Sequence, residues 1–425
     1  MNLYPHQIEA LKLIEDKKRC AVYYDMGLGK TYIGSEKMSR LKSKINLIIC
    51  QKSKIQDWID HFNANYHYKV FNLTKPKQLD AYLGMIQGQR FTVVGIINYD
   101  LVWRRSELLS LSNFTLMLDE SSLITNRTAH RSKFILRFNP ANVILLSGTP
   151  TAGKYEKLWS QLQLLGWNID EETYFKSYVD YEWVDRDGFW DKQINGYKNV
   201  DHLKHKLTKF GAIFKKTEEV MDLPDQIEQM IYIDQSKEYK HFKKHHYIDI
   251  DNRELIGDTA LTKILYERQL CGQYSEDKLK AFQDLVESTE DRLVVFYNFT
   301  EEWHKLGKIT DELGRPSSVV NGQFKHPEVL DNYDNGILFV QYQAGAYGLN
   351  LQKANKIIYF SLPLGIGSCD LWEQSKKRIH RIGQNKACFY YYLLVKDSIE
   401  IWNLELLKTG KELTDDLFIH VEAIK

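Results

Sequence analysis

A glycine-rich loop near the amino terminus is the first candidate for chemistry. The segment Asp25-Met-Gly-Leu-Gly-Lys-Thr31 follows a short apolar run and precedes a helical pattern. Gly27 and Gly29 would let backbone N–H groups approach phosphate oxygens, the Lys30 ammonium would neutralise those oxygens, and the Thr31 hydroxyl would ligate Mg²⁺. A plain glycine-rich turn before a helix is the alternative. The residue order favours a loop that binds the phosphates of a nucleotide.

Two adjacent carboxylates end an apolar run further along the chain, in Leu116-Met-Leu-Asp119-Glu120. In a nucleotide hydrolase Asp119 would hold the magnesium ion, and Glu120 would orient or deprotonate the attacking water. Taken alone, two acids after a strand are more often the solvated start of a helix. Their position after the phosphate loop favours the catalytic interpretation.

Three other polar segments have the residue types of a nucleotide site. Gln7 lies just ahead of the phosphate loop, and Ser147-Gly-Thr-Pro150 follows another apolar run. Near the carboxyl end, the segment from Gln374 to Gln384 contains Arg378 and Arg381, whose spacing predicts that they share one face of a helix. Ordinary loop residues and a basic solvated helix face are the alternatives for these segments.

The elements that must position these residues alternate between apolar runs and helical patterns, which is typical of parallel sheets with crossover helices. Helices are predicted over 32–42 and 54–62, the second with an apolar face at helical spacing. Strands are predicted over 20–24, 45–50, 92–97, 115–118 and 143–146, and again over 293–297, 318–320, 337–340, 356–360 and 389–395. Two parallel α/β lobes follow from this alternation.

The sequence between the two groups of strands, residues 161–278, shows helical and irregular patterns. Within it, Asp187-Gly188 stands between aromatic-rich arms and predicts a β-hairpin. Leu223-Pro224 is the predicted hinge, since proline ends helices and stiffens linkers. The predicted domains are therefore 1–222, a first lobe with a helical extension, and 223–425, a second lobe with a helical insertion at about 225–278.

Composition excludes several classes of protein. Of 425 residues, 43% are apolar and 27% charged, which excludes a disordered chain. The five cysteines form no C-x-x-C pair and the histidines no metal-ligand cluster, so a zinc ribbon or disulfide framework is disfavoured. No run reaches the roughly 18 apolar residues of a membrane span. We expect an intracellular protein without a membrane partner.

The order of these motifs resembles the Swi/Snf-type family of helicase-like ATPases in superfamily 2. Trp58 is similar to the tryptophan of that family's motif Ia, so the resemblance spans nearly the whole chain. The segments that carry the resemblance are Gln7, Gly27-Leu-Gly-Lys-Thr31, Asp119-Glu120, Ser147-Gly-Thr-Pro150, Lys215-Lys-Thr217, Leu223-Pro224, Val295-Phe-Tyr-Asn-Phe299, Asn321-Gly322, Gly348-Leu-Asn350 and Arg378-Ile-His-Arg-Ile-Gly-Gln384.

The resemblance implies two tandem RecA-like parallel-sheet lobes, with a helical and irregular insertion between their cores, that use ATP and Mg²⁺. It implies that Gln7 contacts the adenine, with Tyr4 or His6 as a stacking neighbour. Ser147 and Thr149 would couple the nucleotide state to the bound nucleic acid. It further implies that Gly348 is one of the nucleotide-binding residues. Gln374, Arg378 and Arg381 would reach the γ-phosphate from the second lobe, and the two arginines would act as arginine fingers.

Some positions depart from the family pattern. Ser122 stands where the family usually has histidine, which puts the contact between the acidic motif and Ser147-Gly-Thr-Pro150 in doubt. Ala346 interrupts a glycine-rich motif, and Gln51 replaces a common proline. These changes leave the predicted ATP chemistry intact and bear on coupling efficiency.

Double-stranded DNA is the partner that the resemblance implies, held through its phosphates and without reading of bases. The formal net charge is only +1, so such binding would depend on local contacts by hydroxyl, amide and lysine groups. For any one residue an ordinary polar loop is equally expected. The candidate contacts are Lys52, Ser53, Asn98 and Arg127 in the first lobe and Asn298 and Gln343 in the second.

The leading hypothesis is an ATP-dependent translocase on double-stranded DNA. No histone-reader domain is visible, so replication, recombination or repair in a bacterial or virus-infected cell is the expected setting. A strand-separating DNA or RNA helicase is the second hypothesis, with the hairpin between Trp183 and Trp190 as its wedge. The third is a nucleotide-regulated binding protein with weak hydrolysis, which Lys30, Glu120 and Arg381 together disfavour.

Overall fold

The computed structural model describes residues 3–88, 90–151, 154–186, 189–220, 223–342, 349, 351–365, 367–381 and 383–422. The chain divides into two compact units. The first comprises Met1–Met221 with Glu412–Lys425, and the second comprises Asp222–Lys411. Each unit contains its own parallel sheet.

The first unit is organised around a sheet with the spatial order β3-β4-β2-β5-β6-β1-β9, in which all neighbouring strands are parallel. A separate antiparallel hairpin is formed by β7 and β8. The strands are β1 (Arg19–Tyr24), β2 (Ile45–Cys50), β3 (Lys69–Asn72), β4 (Val93–Asn98), β5 (Thr115–Asp119), β6 (Asn142–Ser147), β7 (Val179–Arg186), β8 (Phe189–Tyr197) and β9 (Ala212–Lys215).

Helices cover both faces of this sheet. They are α1 (Pro5–Leu13), α2 (Lys30–Arg40), α3 (Ile55–Asn65), α4 (Pro76–Gly88), α5 (Tyr99–Val102), α6 (His130–Ile135), α7 (Trp159–Leu165), α8 (Glu171–Tyr178) and α9 (Val200–Lys209). Successive side chains of a strand point to opposite faces. In β5, Leu116 and Leu118 therefore pack in one apolar core, and Met117 packs in the other.

The sheet of the second unit has the order β10-β17-β16-β13-β15-β14, again with parallel neighbours. Its strands, with the separate hairpin β11–β12, are β10 (Gln226–Ile233), β11 (Tyr247–Ile250), β12 (Arg253–Ile256), β13 (Leu293–Tyr297), β14 (Ser317–Val320), β15 (Ile337–Gln341), β16 (Lys356–Tyr359) and β17 (Cys388–Val395). The helices are α10 (Lys237–His245), α11 (Ala260–Cys271), α12 (Glu276–Glu287), α13 (Thr300–Glu312), α14 (Val329–Asn332), α15 (Ser368–Lys376) and α16 (Ile399–Glu422).

The fold class predicted from the sequence is confirmed. Every predicted strand is present with its ends shifted by at most one residue, and the predicted antiparallel hairpin forms, although Asp187-Gly188 lie outside the described residues. Four of the five cysteines are buried. In the part of the chain that is described, no helix is long and apolar enough to cross a membrane.

The prediction for residues 161–278 needs correction. This region contains helices, but it also contributes β9 to the first sheet and β10 to the second. It further contains the hairpin β11–β12, so the predicted helical insertion at about 225–278 is in part strand. The sheet strands β9 and β10 are edge strands whose side chains are largely exposed or half-buried. They therefore lack the continuous apolar run on which the strand prediction depended.

Candidate functional site

The glycine-rich loop connects β1 to α2. Gly27 and Gly29 have φ angles of +87° and +74°, a left-handed conformation that glycine adopts without steric cost. A Cβ atom on Gly29 would also collide with the side-chain amide of Gln7. The Lys30 ammonium lies inside the loop and donates to the carbonyl oxygens of Tyr24 and Asp25, at 2.8 and 3.2 Å. The loop is thus held in the shape that a phosphate cradle requires.

Gln7 is placed directly against this loop by helix α1. Its Nε2 donates to the Leu28 carbonyl at 3.3 Å, and its Oε1 accepts from the Tyr4 backbone N–H at 2.9 Å. The His6 ring nitrogen lies 3.0 Å from the same Leu28 carbonyl. Tyr4 stacks on His6 with ring centroids 5.9 Å apart and remains exposed. Gln7 therefore braces the phosphate loop, and its contact with adenine stays a prediction.

The acidic pair lies at the end of β5. The Trp58 indole N–H donates to Asp119 Oδ2 at 2.8 Å, which fixes the orientation of that carboxylate. Burial raises the pKa of Asp119, while the Trp58 hydrogen bond and the charge of Lys30 oppose the shift. Glu120 has φ +56°, an uncommon conformation for a residue with a side chain, and such strain is concentrated at functional sites. Tyr99 holds this turn by donating to the Asp119 carbonyl at 2.9 Å.

Strand order brings these motifs together. Because β5, β6 and β1 are neighbours and parallel, their carboxyl ends meet at one edge of the sheet. Ser147 is paired with Tyr23 across β6 and β1. The next residue, Gly148, lies so close to the loop that a Cβ atom there would be 3.4 Å from Lys30 Nζ. The phosphate loop, the acidic pair and Ser147-Gly-Thr-Pro150 thus form one site.

The predicted coupling residues are Ser147, which ends β6, and Thr149, which lies in the turn that follows. Ser147 Oγ accepts the Thr149 backbone N–H at 3.1 Å. Thr149 Oγ1 is buried, and the structure shows no hydrogen-bond partner for it among the residues described. A buried hydroxyl without a partner costs stability, which is expected where a ligand supplies the missing bond.

The residues at this edge fit a magnesium nucleotide. Thr31, the second residue of α2, and Asp119 supply the hard oxygen donors that Mg²⁺ prefers, and Mg²⁺ is commonly held by one or two carboxylates together with substrate phosphates. The N-terminus of α2 presents backbone N–H groups to an anion. Within the described ranges, no group of three or more His, Cys, Asp or Glu side chains could hold a metal.

One buried residue at this site was missed by the sequence analysis. Gln161 of α7 bonds to Tyr23, to Ser121 and to the Pro150 carbonyl. A detectable signal existed, because Gln161 falls at helical spacing among the apolar positions 158, 162 and 165, where a glutamine must find buried partners.

The arginine segment of the second unit differs from its prediction. Helix α15 ends at Lys376, so Arg378 and Arg381 lie in the turns that follow and not on one helix face. Arg378 is buried and donates to the Leu349 carbonyl at 3.3 Å. Burial lowers the pKa of Arg381. Gln374, in α15, is buried, and its Oε1 has no hydrogen-bond partner within the described part of the chain.

Gln384 explains why these turns replace a helix. Its Nε2 donates to the carbonyls of Gln352, Ala354 and Ile379, and its Oε1 accepts the backbone N–H of Lys386. The His380 ring bonds to the Pro224 carbonyl at 2.8 Å. The partners Gln352, Ala354 and Pro224 are distant in sequence, so helical spacing alone could not reveal these contacts.

Three of the predicted nucleic-acid contacts line one open cavity of about 680 Å³. Lys52 and Ser53 follow β2, and Asn98 ends β4. The other polar or charged lining residues are Gln56, Asn72, Thr74, Asp100 and Arg104. Because the sheet is parallel, this cavity lies at the same edge of the sheet as the phosphate loop. The cavity lies at the ends of β3, β4 and β2, whereas the nucleotide motifs lie at the ends of β5, β6 and β1.

The remaining predicted contacts are not brought into this cavity. Arg127 forms an ion pair with Glu171 and lies over the Phe175 ring. Asn298, in the second unit, uses its amide N–H groups on Ser361 Oγ and the Leu362 carbonyl, both at 2.9 Å. Gln343, Gly348, Asn350 and Ala346 lie outside the described residues.

The family model described as SNF2-related domain matches residues 6–276, which is more than half of the chain. The chain belongs to the SNF2-related domain family. The match begins just before Gln7 and includes the phosphate loop, the acidic pair and Ser147-Gly-Thr-Pro150. The resemblance to Swi/Snf-type proteins is therefore confirmed.

Curated relatives align with nearly the whole chain. The Drosophila melanogaster SWI/SNF-related matrix-associated actin-dependent regulator of chromatin subfamily A-like protein 1 is 23% identical over 97% of this chain and 55% of its own length. The Mus musculus DNA annealing helicase and endonuclease ZRANB3 is 25% identical, with 93% and 39% covered. A Mycoplasma pneumoniae protein described as an uncharacterized ATP-dependent helicase is 23% identical, with 94% and 40% covered.

The chain thus spans about two fifths to just over half the length of these relatives. Among solved structures, a Sulfolobus solfataricus SWI2/SNF2 ATPase core in complex with dsDNA aligns with 98% of this chain and 93% of its own, at 18% identity and a TM-score of 0.47.

Proposed function

We propose that this chain is an ATP-dependent translocase on double-stranded DNA. The observation that carries the proposal is the convergence of Lys30, the Asp119-Glu120 pair and Ser147-Gly-Thr-Pro150 at one edge of the first sheet. This arrangement supplies a phosphate cradle, a carboxylate for Mg²⁺ and a second acid for water. Membership in the SNF2-related domain family and similarity to a relative described as an ATP-dependent helicase support the same chemistry.

Each group has a defined task in the proposed hydrolysis. Lys30 neutralises phosphate charge, and Glu120 orients or deprotonates the attacking water. Thr31 and Asp119 hold Mg²⁺, which when bound supplies charge neutralisation at the phosphate oxygens. Arg378 and Arg381 of the second unit stabilise the charge that develops at the γ-phosphate.

Binding of duplex DNA is proposed at the cavity lined by Lys52, Ser53 and Asn98. Its lining is mostly polar and includes the cations Lys52 and Arg104, groups that can contact phosphate without carrying sequence information. Helix α3 follows Lys52 and Ser53 directly and carries Trp58, whose indole bonds to Asp119. Helix α3 therefore connects the proposed DNA contacts with Asp119, the proposed magnesium ligand.

The test is ATP turnover measured with no polymer, single-stranded DNA, double-stranded DNA and RNA. We expect the largest stimulation with duplex DNA, falling steeply with salt because each phosphate contact releases counterions. Lys52→Ala should reduce the slope of log DNA affinity against log salt concentration by about one, without changing the preference for DNA sequence. The control is Lys12→Ala, at an exposed position of α1. Equal turnover with all polymers and with none would refute the DNA assignment.

Strand separation is a second candidate, favoured by the β7–β8 hairpin. Trp183 and Trp190 on this hairpin are 55% and 69% exposed, an unusual placement for tryptophan in a protein surface. A translocase should displace the third strand of a triplex while leaving a blunt duplex paired. Efficient unwinding of that duplex by the wild type, lost in the Trp183→Ala and Trp190→Ala double variant, would establish the hairpin as a wedge and replace translocation by helicase activity.

A further inference from the structure

Gln161 forms a buried bridge between the acidic motif and Ser147-Gly-Thr-Pro150. Its Oε1 accepts from Ser121 Oγ at 2.7 Å, and its Nε2 donates to the Pro150 carbonyl at 2.7 Å. Ser121 directly follows Glu120 in sequence, and Pro150 directly follows Thr149. One side chain therefore joins the residue next to the proposed water-activating acid to the residue next to the proposed coupling threonine.

A third bond fixes this bridge to the sheet. The Tyr23 hydroxyl donates to the same Oε1 at 2.9 Å. Burial raises the pKa of Tyr23, so its hydroxyl remains a proton donor. Tyr23 is paired with Ser147 and precedes Tyr24, whose carbonyl accepts from Lys30. The bridge thus contacts Pro150 and two residues that lie beside the other motifs, Ser121 and Tyr23, and its atoms are enclosed, since Gln161, Ser121 and Tyr23 are fully buried.

The chemistry of the bridge requires an amide. Oε1 accepts two hydrogen bonds while Nε2 donates one, so a residue with only donors or only acceptors could not form this set. In a buried site such a network moves as a unit, because breaking one bond leaves a polar group without water to replace it. A displacement of Pro150 is therefore transmitted to Ser121, and a displacement of Ser121 to Pro150.

We propose that Gln161 is a positioning residue that couples the acidic motif to Ser147-Gly-Thr-Pro150 in this chain. It takes the place of the contact that Ser122 leaves in doubt. The proposal rests on the proposed function, since coupling has meaning only for an ATP hydrolase that responds to DNA. Gln161 touches no reacting atom and acts through Ser121 and Pro150.

The test compares Gln161→Met with Gln163→Met, an identical change two residues along the same helix. Gln163 donates to the carbonyls of Trp167 and Ile169, away from the site, so its loss costs stability without touching the bridge. For Gln161→Met we expect kcat with duplex DNA to fall about 10-fold, within the range for mutations along a coupling path. The KM for ATP should change less than about twofold, since the phosphate loop is untouched.

Ser121→Ala should reproduce this effect in part, because it removes one donor to the bridge and leaves Pro150 bound. Gln163→Met should lower the thermal midpoint of unfolding while keeping kcat and DNA stimulation near wild type. Equal loss of kcat in both glutamine variants would assign Gln161 a merely structural role and overturn the proposal. Undiminished DNA stimulation in Gln161→Met would overturn it as well.

Amide hydrogen exchange without nucleotide gives an independent readout. The amides of Leu123 and Thr149 bond within the two joined segments, to the Glu120 carbonyl and to Ser147 Oγ. Both amides should exchange faster in Gln161→Met, and their exchange rates should stay at the wild-type value in Gln163→Met. If the wild type proves to lack ATP turnover, the proposed function fails, whereas this exchange pattern still decides whether Gln161 bridges the two segments. Unchanged exchange at both amides would show that it does not.

Discussion

The phosphate loop of the first unit and the arginine segment of the second are held in different ways. Asp119 and Ser147 end the neighbouring parallel strands β5 and β6, and the loop that leads to Lys30 follows the adjacent strand β1, so the sheet sets where these segments begin. Arg378 and Arg381 lie in turns whose shape depends on the side chain of Gln384. The first arrangement is set by the sheet, and the second by the hydrogen bonds of a single side chain.

The largest effect is expected from Lys30→Ala. Removal of the ammonium leaves phosphate charge without its partner, and the loop loses the two bonds to Tyr24 and Asp25. Both nucleotide binding and turnover should fall, turnover by at least about 10³-fold. Calorimetric titration with ATP and steady-state turnover are the measurements, with Lys12→Ala as the control. Near-normal ATP affinity in Lys30→Ala would contradict the assignment of the first unit as the binding site.

Arg381→Ala should affect rate and leave affinity largely intact. A finger that acts on the developing charge is worth about 10³ or more in kcat by the precedent of phosphoryl transfer. Lys308→Ala, at an exposed position of α13 in the same unit, is the matched control for loss of one positive charge. A rise in the KM for ATP with unchanged kcat would place Arg381 in ground-state binding and remove the contrast between the units.

Glu120→Gln should retain nucleotide binding and lose hydrolysis. The amide keeps the shape of the side chain but cannot take a proton from water, so kcat should fall about 10²–10⁴-fold. Binding of ATP should stay near wild type, because the loop and Lys30 are unchanged. Glu107→Gln, an exposed glutamate of the same unit, controls for loss of charge. A turnover rate of Glu120→Gln close to that of the wild type would contradict the assignment of Glu120 as the acid that orients or deprotonates water.

The smallest effect is expected from Trp58→Phe. This change keeps the apolar ring against Phe62 and removes only the indole donor to Asp119. The Mg²⁺ concentration for half-maximal turnover should rise about 10-fold, as for other partners of metal ligands. Trp159→Phe is the control, since its indole donates to the Ile169 carbonyl in the same unit. The same magnesium dependence in both variants would show that the Trp58 bond does not position a metal ligand.

The polar motifs of the first unit can be located from the sequence because they follow buried strands. In parallel sheets such strands are continuous apolar runs, so their ends, and the polar residues after them, can be located without a structure. Edge strands cannot be located in this way, because they are not continuous apolar runs. Gln226–Ile233 is mostly exposed and mixes polar with apolar residues, and it was therefore not recognised as a strand.

The parts of the site that escaped prediction depend on contacts distant in sequence. Gln161 acts through Tyr23 and Ser121, which lie 138 and 40 residues away. The turns around Arg381 are held by Gln384 through carbonyls at positions 352 and 354. Helical spacing describes only neighbours along the chain, so it predicted a helix where the polar partners favour turns.

The hydrogen bonds between Thr217 and Asp25 bear on how the first unit can be isolated. The Thr217 N–H and hydroxyl bond to Asp25 Oδ2 at 3.1 and 3.3 Å, and β9 pairs with β1 beside the loop. A truncated version ending at Phe210 would lack this strand and leave the first residue of the phosphate loop without those two donors. A minimal fragment intended to bind nucleotide must therefore extend through Thr217, and a protease cut between β9 and α9 should loosen a loop almost two hundred residues earlier in the chain.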